Sequence, residues 1–305
     1  MLNTILNVIA PIFLIMAVGF IYGRRYQPDP KIISSLIINV FSPFLVIEGF
    51  MNVVIPAGEL AQIGLIVVLV ALTLTAIGSG VTRVMGVDGR TASAMLLSMV
   101  LINAANYGIP FNEFAFGEAA GQIAVVYYAM SVIVINTLGV YLASRGTAAS
   151  AWSAIGNIFR VPLLYATVIG FGSNLAGVTM NDLPLALERV IDVLSDAAVP
   201  AMLVLLGVQL AGLRVRHMRL APVLASTATT LLVAPAVALL WTLVLGMNGL
   251  PQTVGIVQHA MPTAVIAAAL ATEFDADAEL VTGVLLLSTG GSVLTLSLLV
   301  QSLPA

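Results

Sequence analysis

Two short stretches hold most of the polar chemistry of an otherwise apolar chain. One reads Asn103-Ala-Ala-Asn106-Tyr107-Gly108-Ile109-Pro110, the other Gln258-His259-Ala-Met-Pro262-Thr263. Proline lacks an N–H and clashes with the carbonyl four residues earlier, and glycine is a poor helix former. Each stretch therefore predicts a helix that breaks, with half-helices starting near Pro110 and Pro262. Buried carboxamides cost free energy unless partnered, and irregular backbone at membrane depth survives only in a cavity wall or inside protein. Half-helix N-termini would aim free N–H groups and positive dipole ends at one point. Neither stretch contains Lys or Arg, so amides and dipoles would hold an anion there. The substrate-binding candidates are Asn103, Asn106, Tyr107, Gly108, Pro110, Gln258, His259, Pro262 and Thr263. The bland alternative for the asparagines is hydrogen bonding between helices.

Three ionisable residues inside apolar runs are candidates for coupling transport to a cation or proton. Glu48 follows Pro43, and Asp196 precedes Pro200 by four residues, as Asn39 precedes Pro43. Ionisable groups within a span are functional candidates by default. Glu48 near an interface, or Asp196 as a hydrogen bonder between helices, would be the ordinary alternatives. His259 reads equally as a neutral imidazole between helices or as a substrate contact or proton carrier. With no cysteine and two histidines, His217 and His259, thiolate and His-rich metal sites are excluded and no cofactor is implied.

The elements that must position these residues follow from composition. Of 305 residues, 60% are hydrophobic and 8% charged, against about a quarter charged in soluble domains. The class is an all-α polytopic membrane protein. A net charge of −3 gives no field for nucleic acid. The opening residues carry no basic leader, so the first apolar run is expected to be a transmembrane helix rather than a signal peptide. A span needs about 20 apolar residues, and such runs fall at 3–23, 31–53, 60–83, 90–112, 119–143, 155–175, 184–212, 219–246, 250–272 and 279–301. The seventh run is amphipathic at its start (Glu188, Arg189, Asp192, Asp196). Short connections leave room for one integral membrane domain, 1–305.

Nine of the eleven basic residues (Arg24, Arg25, Lys31, Arg83, Arg90, Arg145, Arg214, Arg216 and Arg219) lie in odd-numbered connections. The positive-inside tendency makes that face cytoplasmic, with both termini on the periplasmic side of a bacterial inner membrane. Arg160 is expected to snorkel to the cytoplasmic face. Tyr26 and Trp152 fall where an aromatic belt would place them.

The run after Pro11 repeats after Pro162, each reaching Gly-Phe at the same spacing (Gly19-Phe20 and Gly170-Phe171), with Asn7 and Asn157 upstream. Pro11 to Pro110 spans 99 positions and Pro162 to Pro262 spans 100. Two repeats, 1–147 and 148–305, each of five helices, follow. Five is odd, so the repeats are inverted, the layout of secondary transporters with a site at mid-membrane.

At the 103–110 stretch the chain resembles the auxin efflux carrier family. Further marks are Val199-Pro-Ala-Met-Leu-Val-Leu-Leu-Gly207 with Gln209-Leu210, Met261-Pro-Thr-Ala264, and Ser288-Thr-Gly with Thr295-Leu-Ser. The resemblance covers essentially the whole chain. It implies ten helices in two inverted five-helix repeats, helices 4 and 9 crossing at their prolines, a small carboxylate substrate at the crossing, and elevator-like exchange between a scaffold and a transport domain. The linker 144–155 is short, as in bacterial members. A sodium- or proton-coupled symporter or antiporter of the bile-acid type is the alternative, and a membrane sensor a weaker one. No paired acid and base, Ser/His/Asp set or Walker loop points to an enzyme. Substrate identity, transport direction, coupling ion and a homodimeric state stay open.

Overall fold

The computed structural model describes residues 5–53, 55–144, 162–213 and 219–303. Arg145, Trp152, Asn157, Arg160, Arg214, Arg216, His217 and the start of the sixth expected helix lie outside the described residues. Regular structure among the described residues is helical, with one isolated β-bridge between Ile102 and Thr263. Seven helices are long and apolar enough to cross a membrane: α1 (Leu6–Tyr26), α2 (Pro30–Asn52), α3 (Ala57–Met85), α6 (Glu118–Ser144), α8 (Leu185–Gly212), α9 (Leu220–Val244) and α12 (Ala278–Ser302). Between them lie α4 (Gly89–Val100), α5 (Ile109–Phe116), α7 (Pro162–Leu175), α10 (Gly249–His259) and α11 (Val265–Glu273). The expected runs 90–112 and 250–272 are thus each divided, into α4 with α5 and α10 with α11.

Carboxylates cap α2, α4 and α12, through Asp29, Asp88 and Asp277. Asp88 accepts from the Thr91 N–H at 3.0 Å and its hydroxyl at 2.8 Å, and Asp277 accepts from the Leu280 N–H. The Thr91 N–H, then its hydroxyl and Arg219, hold the Asp88 carboxyl down at about 2. Such caps satisfy N–H groups that a helix start leaves unpaired.

Proline shapes the helix interiors in one recurring way. Five-residue π-helical turns precede prolines at Ile5–Ile9, Ile37–Phe41, Ala104–Gly108 and Thr229–Val233, while a fifth, Ile135–Gly139, has no proline behind it. Pro11, Pro43, Pro110 and Pro235 each follow two residues after the turn ends. The residue four before each proline is therefore the centre of the turn: Asn7, Asn39, Asn106 and Leu231. That residue's carbonyl is the one the proline ring displaces, and widening the turn relieves the clash. In α8 the backbone instead turns at Ala197, between Asp196 and Pro200.

The tightest packing joins α1 to the second half of α8. A Cβ built on Gly19 would collide with the Val204 carbonyl, and one on Gly207 with the backbone of Met16 and Phe20. Gly23 lies equally close to Val208 and Ala211. Two backbones in direct contact gain dispersion that lipid cannot replace. α7 lies along α2, where Asn174 donates to the Phe50 and Val53 carbonyls at 2.9 and 2.6 Å and so caps the end of α2.

At the opposite end of the fold, Arg90 at the start of α4 donates to both the carbonyl and the carboxylate of Asp275, at 2.7 and 2.6 Å. Arg219 reaches Asp88 and Thr91 at 3.3 and 3.0 Å. The first turn of α4 is thereby tied to the start of α9 and to the α11–α12 connection.

Gly207→Ala should lower detergent-solubilised stability by about 1–3 kcal/mol through overpacking, read as a fall in unfolding temperature. Gly172→Ala, which faces open space, should leave it unchanged.

Candidate functional site

α4 stops at Val100, and Leu101 to Asn103 leave the helix before the turn Ala104–Gly108 leads into α5. α10 stops at His259, and the chain runs through Ala260 to Ala264 before α11 starts at Val265. The two interruptions lie side by side and run antiparallel. The Asn103 N–H donates to the Pro262 carbonyl at 2.8 Å, and the Ala264 N–H donates to the Leu101 carbonyl at 2.8 Å. Backbone groups that lose their helical partners thus find them on the other broken helix, as a dry interior demands.

The half-helix expected to start near Pro110 is α5, which begins at Ile109 behind the π-helical turn. The non-helical residues come earlier, at 101–103. A proline alone needs only a widened turn, whereas leaving the helix requires other partners, and those stand at Pro262 and Ala264.

Hydroxyl groups finish the crossing from behind. The Ser98 carbonyl near the end of α4 accepts from Thr263 Oγ1 at 2.8 Å, and Thr230 Oγ1 shares its one proton between that carbonyl at 3.1 Å and the Ser226 carbonyl at 3.0 Å. The Thr263 N–H donates to Ser288 Oγ at 3.2 Å. Ser98 and Thr230 were not singled out by the sequence, and Ser288 only as a mark of the family resemblance, because hydroxyl residues are common in membrane helices and their partners lie on distant segments.

The candidate residues divide by where their side chains go. Asn103, Pro262 and Thr263 form the bridge itself. Asn106 is half-buried at the centre of its turn, with no side-chain hydrogen bond among the described residues. Gly108 packs against the Gln258 carboxamide so closely that a Cβ would overlap it. Gln258 Nε2 donates to the Ala124 carbonyl at 3.1 Å, while its Oε1 is buried without a partner among the described residues. Asn112 Nδ2 donates to the Gly108 carbonyl at 2.7 Å.

Tyr107 turns to the far side. Its ring meets Phe13 and Phe111 edge-on at 6.1 Å, and its hydroxyl accepts from Ser292. His259 is buried with Nδ1 2.8 Å from the Gly255 carbonyl and its ring edge-on to Tyr127. That contact assigns the proton to Nδ1 and turns the imidazole toward a small cavity between α3 and α6 lined by Val67, Val70, Ser131 and Val134. Tyr107 and His259 therefore support the crossing from opposite sides.

Glu48 and Asp196 meet elsewhere, in a larger cavity of about 340 Å³. Glu113, Glu118, Gln122 and Ser195 share its wall, and Ile109 forms the part nearest the break. Glu113 and Glu118 were missed by the sequence. They sit just beyond the expected end of the fourth span, where an acidic residue reads as interfacial.

A polytopic helical membrane protein whose two interrupted helices mend each other's backbone is built in the manner of a membrane transport protein. The chain belongs to the auxin efflux carrier family: the family described as membrane transport protein matches residues 4–153 and 147–300. It is 27% identical over 303 residues to an uncharacterized transporter of Methanothermobacter thermautotrophicus, covering 97% of this chain and 96% of that one. It is 22% identical over 302 residues to an uncharacterized transporter of Methanocaldococcus jannaschii, covering 96% of this chain and 97% of that one.

The doubly capped Ser98 carbonyl is open to a double-mutant cycle. Thr263→Val and Thr230→Val should each destabilise by about 1 kcal/mol, and the pair by more than their sum, since a buried carbonyl left bare costs about 1–3 kcal/mol. Thermal unfolding of the four proteins measures this; additive losses would show that the carbonyl has another partner.

Proposed function

We propose that the chain is a secondary transporter that moves a small organic carboxylate by elevator-like alternating access, with the helix crossing as the substrate site. The observation that carries this reading is the backbone pairing of the two interruptions at Ile102 and Thr263. Around it the first turns beginning at Ala104 and Val265 converge, and the first N–H groups of a helix lack partners within that helix. They supply donors and positive dipole ends without full charge. Asn106 is the side chain best placed to add a hydrogen bond. Asn103, Gly108, Pro110, Pro262 and Thr263 shape the backbone, Gln258 fixes Gly108, and Tyr107 and His259 brace the site. Membership of a membrane transport family supports the same conclusion.

The reading includes ten helices in two inverted repeats. The seven long helices, the two divided pairs and α7 are consistent with that number, and the equal proline spacing with the duplication. The basic residues put the α1–α2 connection in the cytoplasm and the termini outside, in the cytoplasmic membrane. One observation bears on coupling. Glu48, Asp196, Glu113 and Glu118 line one cavity without a basic residue, yet no three acidic or histidine side chains among the described residues are grouped to hold a metal ion. Carboxylates in a shared cavity suit a proton as the coupling ion, while backbone carbonyls and hydroxyls would be the ligands of sodium.

A thermal-shift screen of mono- and dicarboxylates on purified protein tests the substrate class. A ligand that raises the unfolding temperature of the native protein should lose that effect in Asn106→Ala while the unliganded fold is retained. Undiminished stabilisation of Asn106→Ala would move the site elsewhere. Uptake of that ligand into proteoliposomes should persist when sodium is replaced by potassium and fall when the pH gradient is collapsed.

A further inference from the structure

The first interruption leaves one backbone donor unanswered. The bridge uses the Asn103 N–H and the Leu101 carbonyl, and the Ala104 N–H turns back to the Ile102 carbonyl. The Leu101 N–H still reaches the Leu97 carbonyl, as in the helix it leaves. The Ile102 N–H would continue that series to Ser98, but the Ser98 carbonyl accepts the hydroxyls of Thr263 and Thr230 instead. The Ile102 N–H has no partner among the described residues, although Ile102 is only 9% exposed. Buried N–H groups are almost always paired, with backbone, side chain or ordered water.

The second interruption leaves an acceptor unanswered. His259 is 4% exposed and holds Nδ1 2.8 Å from the Gly255 carbonyl. A carbonyl can only accept, so Nδ1 carries the proton and Nε2 keeps a bare lone pair. Nε2 has no hydrogen bond among the described residues. Ile102 and His259 line one cavity of about 20 Å³ between α3 and α6. Ser131 shares its wall; the Ser131 hydroxyl donates to the Tyr128 carbonyl at 2.7 Å, which leaves the Oγ lone pairs free. The rest of the wall is aliphatic, with Val67 and Val70 from α3 and Val134 from α6.

The winding of α6 bears on this space. Ile135 also lines the cavity, and it opens the π-helical turn Ile135–Gly139, which no proline forces. Side chains of the turn itself satisfy the carbonyls around it. Asn136 donates to the Val132 carbonyl at 2.8 Å and Thr137 to the Ile133 carbonyl at 2.7 Å. The turn therefore makes no demand on the polar groups in the cavity, and single π-turns of this kind gather at functional sites.

We propose that this cavity binds a single water molecule that completes the crossing, accepting from the Ile102 N–H and donating to His259 Nε2 and Ser131 Oγ. About 10–15 Å³ of such space admits one water, and a buried water needs two to four polar partners. Here the size suits one molecule, and the partners are one donor and two acceptors. A cation finds no charge to meet it, since no carboxylate lines the cavity among the described residues. An apolar occupant would strand the Ile102 N–H and the His259 lone pair together, at the full cost of two bare polar groups. The water joins both interruptions to α6: Ile102 belongs to the first, His259 ends the helix before the second. His259 is thereby a positioning residue for the bridge at Ile102, acting through the water. The inference goes beyond the transport reading and does not depend on any substrate.

The chain has two histidines, so His217→Gln leaves His259 as the sole imidazole. Solid-state NMR of that protein, labelled with ¹⁵N-histidine and held in lipid bilayers, should show one neutral ring with its proton on Nδ1. Nε2 should receive polarisation from water protons. Val67→Ile adds a methyl group to the cavity wall and should displace the water. The transfer should then vanish, the Nε2 signal should move toward that of an unbonded nitrogen, and the unfolding temperature should fall. Filling a dry void has the opposite sign, because cavity-filling substitutions stabilise. A proton on Nε2, no transfer from water before the cavity is filled, transfer that survives Val67→Ile, or a rise in unfolding temperature overturns the proposal. Val134→Ile makes the same test from the α6 wall should Val67→Ile fail to fold.

Discussion

The two backbone hydrogen bonds between the interrupted helices are the constraint from which the rest follows. In lipid a peptide group cannot turn to water, so a helix can stop at mid-membrane only if something else receives its N–H and carbonyl groups. Here the receiver is a second helix stopped at the same depth. Neither interruption is stable without the other, although Asn103 and Pro262 are separated by most of the chain. The hydroxyls of Thr230, Thr263 and Ser288 complete the arrangement from α9, the crossing and α12. The polar core thus draws on segments from both halves of the chain. Its charge-free character is also a consequence. A buried lysine or arginine would need a counter-ion that the crossing does not contain.

The remaining helices divide by how they pack. α1 and α8 meet backbone to backbone through Gly19, Gly23 and Gly207, a contact that any larger side chain would prevent. Around the carboxylate-lined cavity α2 meets α6 where Gly49 faces Val125, and Phe13 of α1 packs edge-on against Tyr107 of the first interruption. At the other end, Arg90 and Arg219 bind α4 to α9 and to the α11–α12 connection. These ties join segments that each contain or flank a broken helix.

Much of the membrane architecture was legible because the bilayer sets a length that composition reveals directly. The expected spans match the helices within a few residues wherever both are described, and the two divided helices announced themselves through asparagine, glycine and proline in apolar runs. The extent of the first break was less legible. Local rules say where a helix is weakened, and a π-helical turn was sufficient to absorb that weakness. The actual departure at 101–103 depends on residues more than 150 positions away. Glu113 and Glu118 were obscure for a related reason: their meaning lies in facing Glu48 and Asp196, and pairings across distant helices leave no local periodicity. His259 was legible only as a residue type; its partners, the Gly255 carbonyl of its own helix and the edge-on Tyr127 ring, come from the packing.

The π-helical turns carry an implication for how such a chain can change. Each holds one residue more than an α-helical turn would, which rotates everything downstream by about 100° while shifting it along the axis by about 1.5 Å. Loss of a single residue at Asn7, Asn39 or Asn106 would restore regular winding and present a different stripe of side chains to the same neighbours. These turns are therefore where lineages could acquire or discard one codon and re-aim a whole half-helix, keeping its depth in the bilayer nearly intact.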